Sequence, residues 1–104
     1  MLDRDDPDTL DARANLASAL WNAEQVEDAL ATEERIVEES ERINGADHLD
    51  TLQARAALAS SYRISGRIED GNELQDRVIA DSERILGKDH PATVAARKTR
   101  KLNS

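Results

Sequence analysis

Two Asp–His pairs are the residues of this sequence most able to do chemistry. His48 follows Asp47 and His90 follows Asp89, so the pairs lie 42 residues apart. An imidazole beside a carboxylate could bind a metal ion or transfer a proton. The same residue types are also typical of a helix start, where they accept hydrogen bonds from unpaired backbone N–H groups. A metal site needs several converging ligands and a second layer of hydrogen bonds, so we favour the helix-start interpretation.

Other catalytic patterns are missing from the sequence. It contains no cysteine, which excludes disulfides, thiolate zinc sites and iron–sulfur clusters. Its serines, such as Ser18, Ser60 and Ser61, have no histidine at a spacing that indicates an activated nucleophile. Its four glycines are too scattered to form a phosphate-binding loop. We therefore predict that the chain is not an enzyme and holds no cofactor or metal ion.

Charge and aromatic content exclude further classes. There are 14 Lys and Arg against 22 Asp and Glu, a net charge of −8, and only two aromatic residues, Trp21 and Tyr62. This charge repels a phosphate backbone and leaves no set of stacking side chains, so nucleic acid is an unfavourable partner. No apolar run approaches the roughly 20 residues of a membrane span. Together with the absence of cysteine, these features lead us to expect a cytoplasmic protein.

An internal repeat of 42 residues dominates the sequence. Residues 5–10 (DDPDTL) return as 47–52 (DHLDTL) and, in part, as 89–94 (DHPATV). The run SERI precedes a nearby glycine in both 40–45 and 82–87. Matches spread over a whole unit indicate a repeated fold, which a disordered acidic chain has no reason to show.

Each unit has the pattern of two helices. Apolar residues recur every three or four positions, and the composition, rich in Ala, Leu, Glu and Arg, disfavours strands. We predict first helices that begin near Pro7 and Leu49, second helices that end at left-handed glycines, Gly45 and Gly87, and a fifth helix over about 91–102. In the first unit the predicted core positions are Leu10, Leu16, Ala17, Leu20, Ala23, Val26, Ala29, Leu30, Ile36, Val37 and Ile43; Ile68 takes the place of Val26 in the second unit.

Helix pairs whose apolar faces are too narrow to stand alone must stack on their neighbours. We therefore predict an all-α fold, an α-solenoid of stacked antiparallel helix pairs with about five helices. It forms one domain over residues 1–104, with repeats at about 5–46 and 47–88 and a half repeat or capping helix at about 89–104.

The chain resembles the tetratricopeptide repeats, in particular the 42-residue kind of kinesin light chains and bacterial regulatory proteins. The segments that carry the resemblance are 89–93 (DHPAT), 57–62 (ALASSY), 66–71 (GRIEDG) and 83–87 (ERILG). The resemblance implies a right-handed superhelix that acts as a protein–protein interaction scaffold. It also implies a parent protein that is bacterial and regulatory, of which this chain is a fragment.

Five residues depart from the family pattern. Leu49 replaces a proline, and Glu24 replaces a glycine at the first turn. Gly71 replaces the small Ala expected where two helices meet, and Glu33 and Gln75 stand where an aromatic residue is usual. We expect Glu33 and Gln75 to loosen the packing inside the second helices.

The resemblance also implies a binding surface, because the first helix of each such repeat lines the concave face. Carried over position by position, that face holds Asp11, Asn15, Ser18, Trp21, Asn22, Gln53, Ser60, Arg63 and Ile64. Trp and Arg are the residues most enriched where binding energy concentrates, so Trp21 and Arg63 are candidate partner contacts. Alternatively, Trp21 covers the edge of the core between repeats.

The charge of the chain is unevenly placed. Residues 1–86 hold 9 basic and 21 acidic side chains, and residues 87–104 hold 5 and 1. Arg97, Lys98, Arg100 and Lys101 give the last helix a basic edge, which an acidic partner or another copy could contact, or which is simply solvated.

We predict that the chain binds a peptide or partner protein. One alternative is homo-oligomerisation through exposed terminal helices, and another is association with nucleic acid through the basic last helix. The residues do not identify the partner, nor whether it binds as an extended segment or as a helix.

Overall fold

Five helices make up the described part of the chain. The computed structural model describes the backbone of residues 7–102 and the side chains of residues 15–102. The helices are α1 (Pro7–Asn22), α2 (Val26–Asn44), α3 (Leu49–Ile64), α4 (Ile68–Leu86) and α5 (Pro91–Leu102). Over these residues there is no strand, which confirms the predicted all-α fold and its helix starts. The chain divides into two compact units, 1–54 and 55–104.

The turn inside each helix pair has the same backbone in both repeats. The N–H of Glu24 donates to the Trp21 carbonyl at 3.0 Å, and the N–H of Gly66 donates to the Arg63 carbonyl at 3.1 Å. Both donors have positive φ, 63° for Glu24 and 96° for Gly66. Glycine adopts this conformation freely, whereas a glutamate pays roughly 1 kcal/mol for it. The first repeat therefore makes the same turn at a higher conformational cost.

The glycines that end α2 and α4 are not in the left-handed helical conformation we expected. Gly45 has φ 95° and ψ 156°, and Gly87 has φ 96° and ψ 157°. The φ angle is positive as predicted, but ψ places both residues in an extended region that is essentially restricted to glycine. The N–H of Gly87 still caps its helix by donating to the carbonyls of Ser82 and Glu83, each at 3.2 Å.

A buried hydroxyl network joins the end of α2 to the start of α3 in the first unit. The fully buried Thr51 donates its hydroxyl to the Gly45 carbonyl at 2.7 Å, and its Oγ1 lies 2.9 Å from Ser40 Oγ. The Asn44 amide donates to Ser40 Oγ at 3.3 Å. The buried apolar side chains of the same unit are Ala17, Ala29, Leu30, Val37 and Leu52.

The second unit repeats the core but not the network. Its buried apolar side chains are Leu58, Ala59, Tyr62, Val78 and Ala96. Thr93, which corresponds to Thr51, is equally buried, but its hydroxyl has no hydrogen-bond partner among the described residues. The two junctions thus share a sequence pattern and differ in how their polar atoms are satisfied.

Gln75 makes a buried hydrogen bond where we expected loose packing, although its buried Oε1 has no partner among the described residues. Gly71 allows a close approach of two helices in the same unit. Gln75 is fully buried, and its Nε2 donates to the Ala96 carbonyl at 2.9 Å, which joins α4 to α5. At Gly71 an added Cβ would lie 2.6 Å from the Ala59 carbonyl oxygen and 2.6 Å from Arg63 Cγ. Gly71 therefore lets α4 approach the backbone of α3 more closely than alanine would allow.

Among the described side chains, three predicted core positions are solvent-exposed, while the side chain of Leu10 lies outside the described residues. Leu16 in α1 and Ile68 at the start of α4 both expose more than half of their surface, and Ala23 is also exposed. A helical spacing of apolar residues predicts which face of a helix is apolar. It does not predict whether another element covers that face.

Gly71→Ala should destabilise the protein by roughly 1–2 kcal/mol, although alanine is the better helix former by about 1 kcal/mol. The reason is that the new methyl group collides with a backbone oxygen that cannot rotate away. Urea unfolding measures the difference, with Glu73→Ala on the exposed side of α4 as the control. A stabilised Gly71→Ala variant would show that the helices have room for a side chain.

Thr51→Val and Thr93→Val form a matched pair. Thr51→Val should cost about 1–2 kcal/mol, because it removes the two buried hydrogen bonds that Thr51 makes with the Gly45 carbonyl and with Ser40. Thr93→Val should be neutral or stabilising by up to about 1 kcal/mol, because it removes a buried hydroxyl that bonds to nothing. Denaturant titrations of both variants test this, and equal effects at the two positions would contradict it.

Candidate protein-binding surface

Three predicted contact residues of α1 are exposed. Asn15, Ser18 and Asn22 all face solvent, and Trp21 is half-buried. Asp11 lies in α1, but its side chain falls outside the described residues. The helix therefore offers two amides, a hydroxyl and part of an indole ring for contacts with another molecule.

Trp21 also has an internal partner that sequence reasoning missed. Its indole Nε1 donates to Glu33 Oε1 at 3.4 Å, which links α1 to α2. The other Glu33 oxygen, Oε2, is buried and has no hydrogen-bond partner in the described structure. Glu33 occupies a position where the family usually has an aromatic residue. That departure is the sequence feature that could have indicated a polar partner for Trp21. The Trp21 ring thus covers part of the helix pair and still keeps an exposed portion.

The predicted residues of α3 divide into exposed and half-buried side chains. Gln53, in the first unit, is exposed. In the second unit Ile64 exposes 75% of its surface, whereas Ser60 and Arg63 are half-buried. Ile64 is therefore the most exposed apolar side chain of the predicted set.

Arg63 is held by neutral acceptors. Its guanidinium donates to Ser60 Oγ at 3.2 Å and to the Gly71 carbonyl at 3.4 Å. Burial lowers the pKa of Arg63, and the nearby positive charge of Arg100 lowers it further. No carboxylate of the described residues pairs with this guanidinium. Arg63 is thus positioned by its own helix pair, and its charge has no counterion among the side chains that the structure describes.

The basic edge of α5 is only partly available. Arg97 pairs with Glu83 at 3.1 Å, and Arg100 pairs with Asp76 at 2.8 Å, so both contact α4. The two lysines of α5 are exposed. Half of the basic residues predicted to meet a partner therefore help to attach α5 to its own unit.

The two histidines cap helices, which confirms the helix-start interpretation. His48 Nδ1 accepts the N–H of Asp50 at 3.0 Å, and His90 Nδ1 accepts the N–H of Ala92 at 3.1 Å. These are the second residues of α3 and α5, whose N–H groups have no partner within the helix. Across residues 15–102, no group of three His, Asp or Glu side chains is arranged to hold a metal ion.

The described helices are also too short or too polar to cross a membrane.

The family model for tetratricopeptide repeats matches residues 9–50 and 51–92, two windows whose starts lie 42 residues apart. The chain belongs to the tetratricopeptide repeat family. A comparison with curated proteins found none that matches it.

Membership explains the repeated helix pairs as an all-α helical repeat of the solenoid type. Tetratricopeptide repeats generally mediate protein–protein interaction, and they are typically scaffolds without catalytic activity. The capping histidines and the buried Ala29 lie within the matched residues, whereas the two exposed lysines of α5 lie after them.

His90→Ala should lower the free energy of unfolding by about 0.5–2 kcal/mol, because the N–H of Ala92 loses its acceptor. His90→Asn should retain most of the stability, since an asparagine oxygen accepts the same bond. Thermal unfolding with and without excess zinc tests the assignment. If zinc raised the melting temperature of the parent chain but not of His90→Asn, the histidine would be a metal ligand instead.

Proposed function

We propose that this chain is a non-enzymatic interaction module whose first helices bind a peptide or a segment of a partner protein. The observation that carries the proposal is the exposure of the predicted contact residues. Asn15, Ser18, Asn22 and Gln53 present polar groups to solvent, and Ile64 presents an apolar side chain. In this repeat family the first helices line the concave face, and the proposed partner binds along that face.

The proposed mechanism is recognition by a preformed surface. Side chains on helices of a repeat need little ordering when a partner binds, which limits the entropic cost. Amide side chains can pair with the backbone of a bound segment, and an exposed isoleucine can fill an apolar pocket on it. Trp21 and Arg63 supply the residue types that most often dominate such interfaces.

A protein partner is favoured over nucleic acid by the ion pairs of α5. Arg97 and Arg100 are paired with carboxylates of α4, so binding a phosphate backbone would have to compete with those pairs. The family's frequent occurrence in bacterial regulators and the cysteine-free sequence support a cytoplasmic regulatory protein as the parent.

A peptide selected against the chain from a displayed library provides a defined ligand for the test. Trp21→Ala and Ile64→Gln should each weaken its binding by about tenfold, the effect of losing roughly 1.4 kcal/mol. Trp21→Phe should bind better than Trp21→Ala, because it keeps an aromatic ring while losing only the N–H. Calorimetric titration measures each affinity.

Ile68→Gln is the control, because Ile68 is exposed on α4 and lies outside the predicted face. Circular dichroism should show that all of the variants keep their helices. Unchanged affinity in both Trp21→Ala and Ile64→Gln would remove α1 and α3 from the binding surface.

A further inference from the structure

The first unit has an open apolar groove on a surface apart from the proposed contact residues. It lies between α1 and α2 and encloses a cavity of about 420 Å³. It is lined by Leu16, Leu20, Asp28, Ala31, Thr32 and Arg35. We infer that this groove is the docking site for α5 of a second copy of the chain.

In the second unit, the positions that correspond to the leucine side of this groove are covered. Leu16 is 52% exposed and Leu20 is half-buried. The corresponding residues 42 positions later are Leu58 and Tyr62, which are 6% and 9% exposed. The leucine side of the groove is therefore buried in the second unit and open in the first. The α2 side is exposed in both units, since Asp70, Glu73 and Arg77 correspond to Asp28, Ala31 and Arg35. Covering an exposed leucine with an apolar partner removes its surface from water, which stabilises the complex.

Charge indicates which helix the groove accepts. Residues 15–54, which form the described surface of the first unit, contain ten acidic and two basic residues. Residues 87–102, which contain α5, hold five basic residues and one acidic residue. A basic helix is therefore electrostatically matched to the first unit, and this chain carries one.

The exposed face of α5 has the composition that such a groove requires. Lys98, Lys101 and Leu102 are exposed, and their spacing of three and four residues places them on one helix face. Leu102 can cover the apolar part of the groove near Leu16, and the lysines can pair with carboxylates such as Asp28. The arginines of α5 that contact α4 are not needed for this docking.

The basic residue of the groove does not oppose this assignment. Arg35 also lines a second cavity together with Glu38, Glu39 and Arg42, so two carboxylates of its own helix share that cavity with the two arginines. By contrast, two grooves placed face to face would bring two strongly acidic units together. The charge distribution therefore favours groove-to-α5 contact over groove-to-groove contact.

Groove and α5 are different surfaces, so the contact is heterologous. Each copy carries both surfaces and can accept one neighbour while docking on another, which produces rings or open chains. Because opposite charges contribute to the contact, its association constant should fall as salt shortens the screening length from about 10 Å at 0.1 M to about 3 Å at 1 M.

Light scattering on the purified chain tests the inference. The average mass should rise with protein concentration at low salt, and Leu16→Gln should lower the association constant at least about tenfold. Ile68→Gln is the matched control, because Ile68 is 54% exposed and lies on α4. Ala31→Arg, at an exposed groove position, repeats the test with a good helix former in case Leu16→Gln loses stability.

A second pair of variants tests α5. The double change Lys98→Glu and Lys101→Glu should also reduce association at least about tenfold, whereas Lys88→Glu, before the helix, should have a smaller effect. Association that survives the double change while Leu16→Gln abolishes it would overturn α5 as the occupant. A monomer at every concentration and salt would overturn the docking altogether.

Mixing the variants distinguishes the two geometries. The Leu16→Gln copy keeps a functional α5, and the copy with glutamates at 98 and 101 keeps a functional groove. Together they should form a one-to-one dimer and nothing larger, although each alone is monomeric. A mixture that stays monomeric would overturn the inference. No peptide is present in these measurements, and the mutated positions lie outside the proposed peptide-binding set, so the result is independent of the proposed function.

Discussion

The close approach of the two helices in each pair is the constraint on which the rest of this structure depends. In the first unit the fully buried Ala29 occupies the contact, and in the second unit Gly71 leaves no space for even a methyl group. Helices this close can bury only small side chains where they meet, which explains why the cores consist mainly of alanine, leucine and valine. Tyr62 is the one aromatic side chain that is buried among the described residues. Arg63, whose Cγ lies against Gly71, owes its position to the same contact.

The helices could be predicted from the sequence because they depend on local patterns that occur twice. The 42-residue period, the Asp-His starts and the terminal glycines located α3 and α5 within the observed bounds. The tight packing at Gly71 and the exposure of Leu16 could not be predicted in the same way. Both depend on the distance to another element, and a period of apolar residues contains no information about that distance.

The candidate surface shows the same division between local and distant effects. The resemblance assigned residues to the first helices, and the structure leaves Asn15, Ser18 and Ile64 exposed there. The resemblance did not predict that Trp21 and Arg63 also form hydrogen bonds within their own units. The Trp21–Glu33 bond joins residues 12 positions apart, and the Arg63–Gly71 bond joins residues 8 positions apart, each across the turn between two helices. Both bonds therefore depend on how the two helices meet and not on the identity of either residue alone.

The unmatched hydroxyl of Thr93 has a consequence for how the chain opens. At the first junction a buried threonine closes the loop by bonding to the Gly45 carbonyl, whereas the second junction has no such bond from Thr93. The helix after the second junction is held partly by ion pairs near the surface, which contribute little free energy each. We therefore expect α5 to detach in brief sub-global openings while α1 to α4 remain folded. Two repeats of nearly one design thus differ in how the helix after each junction is attached.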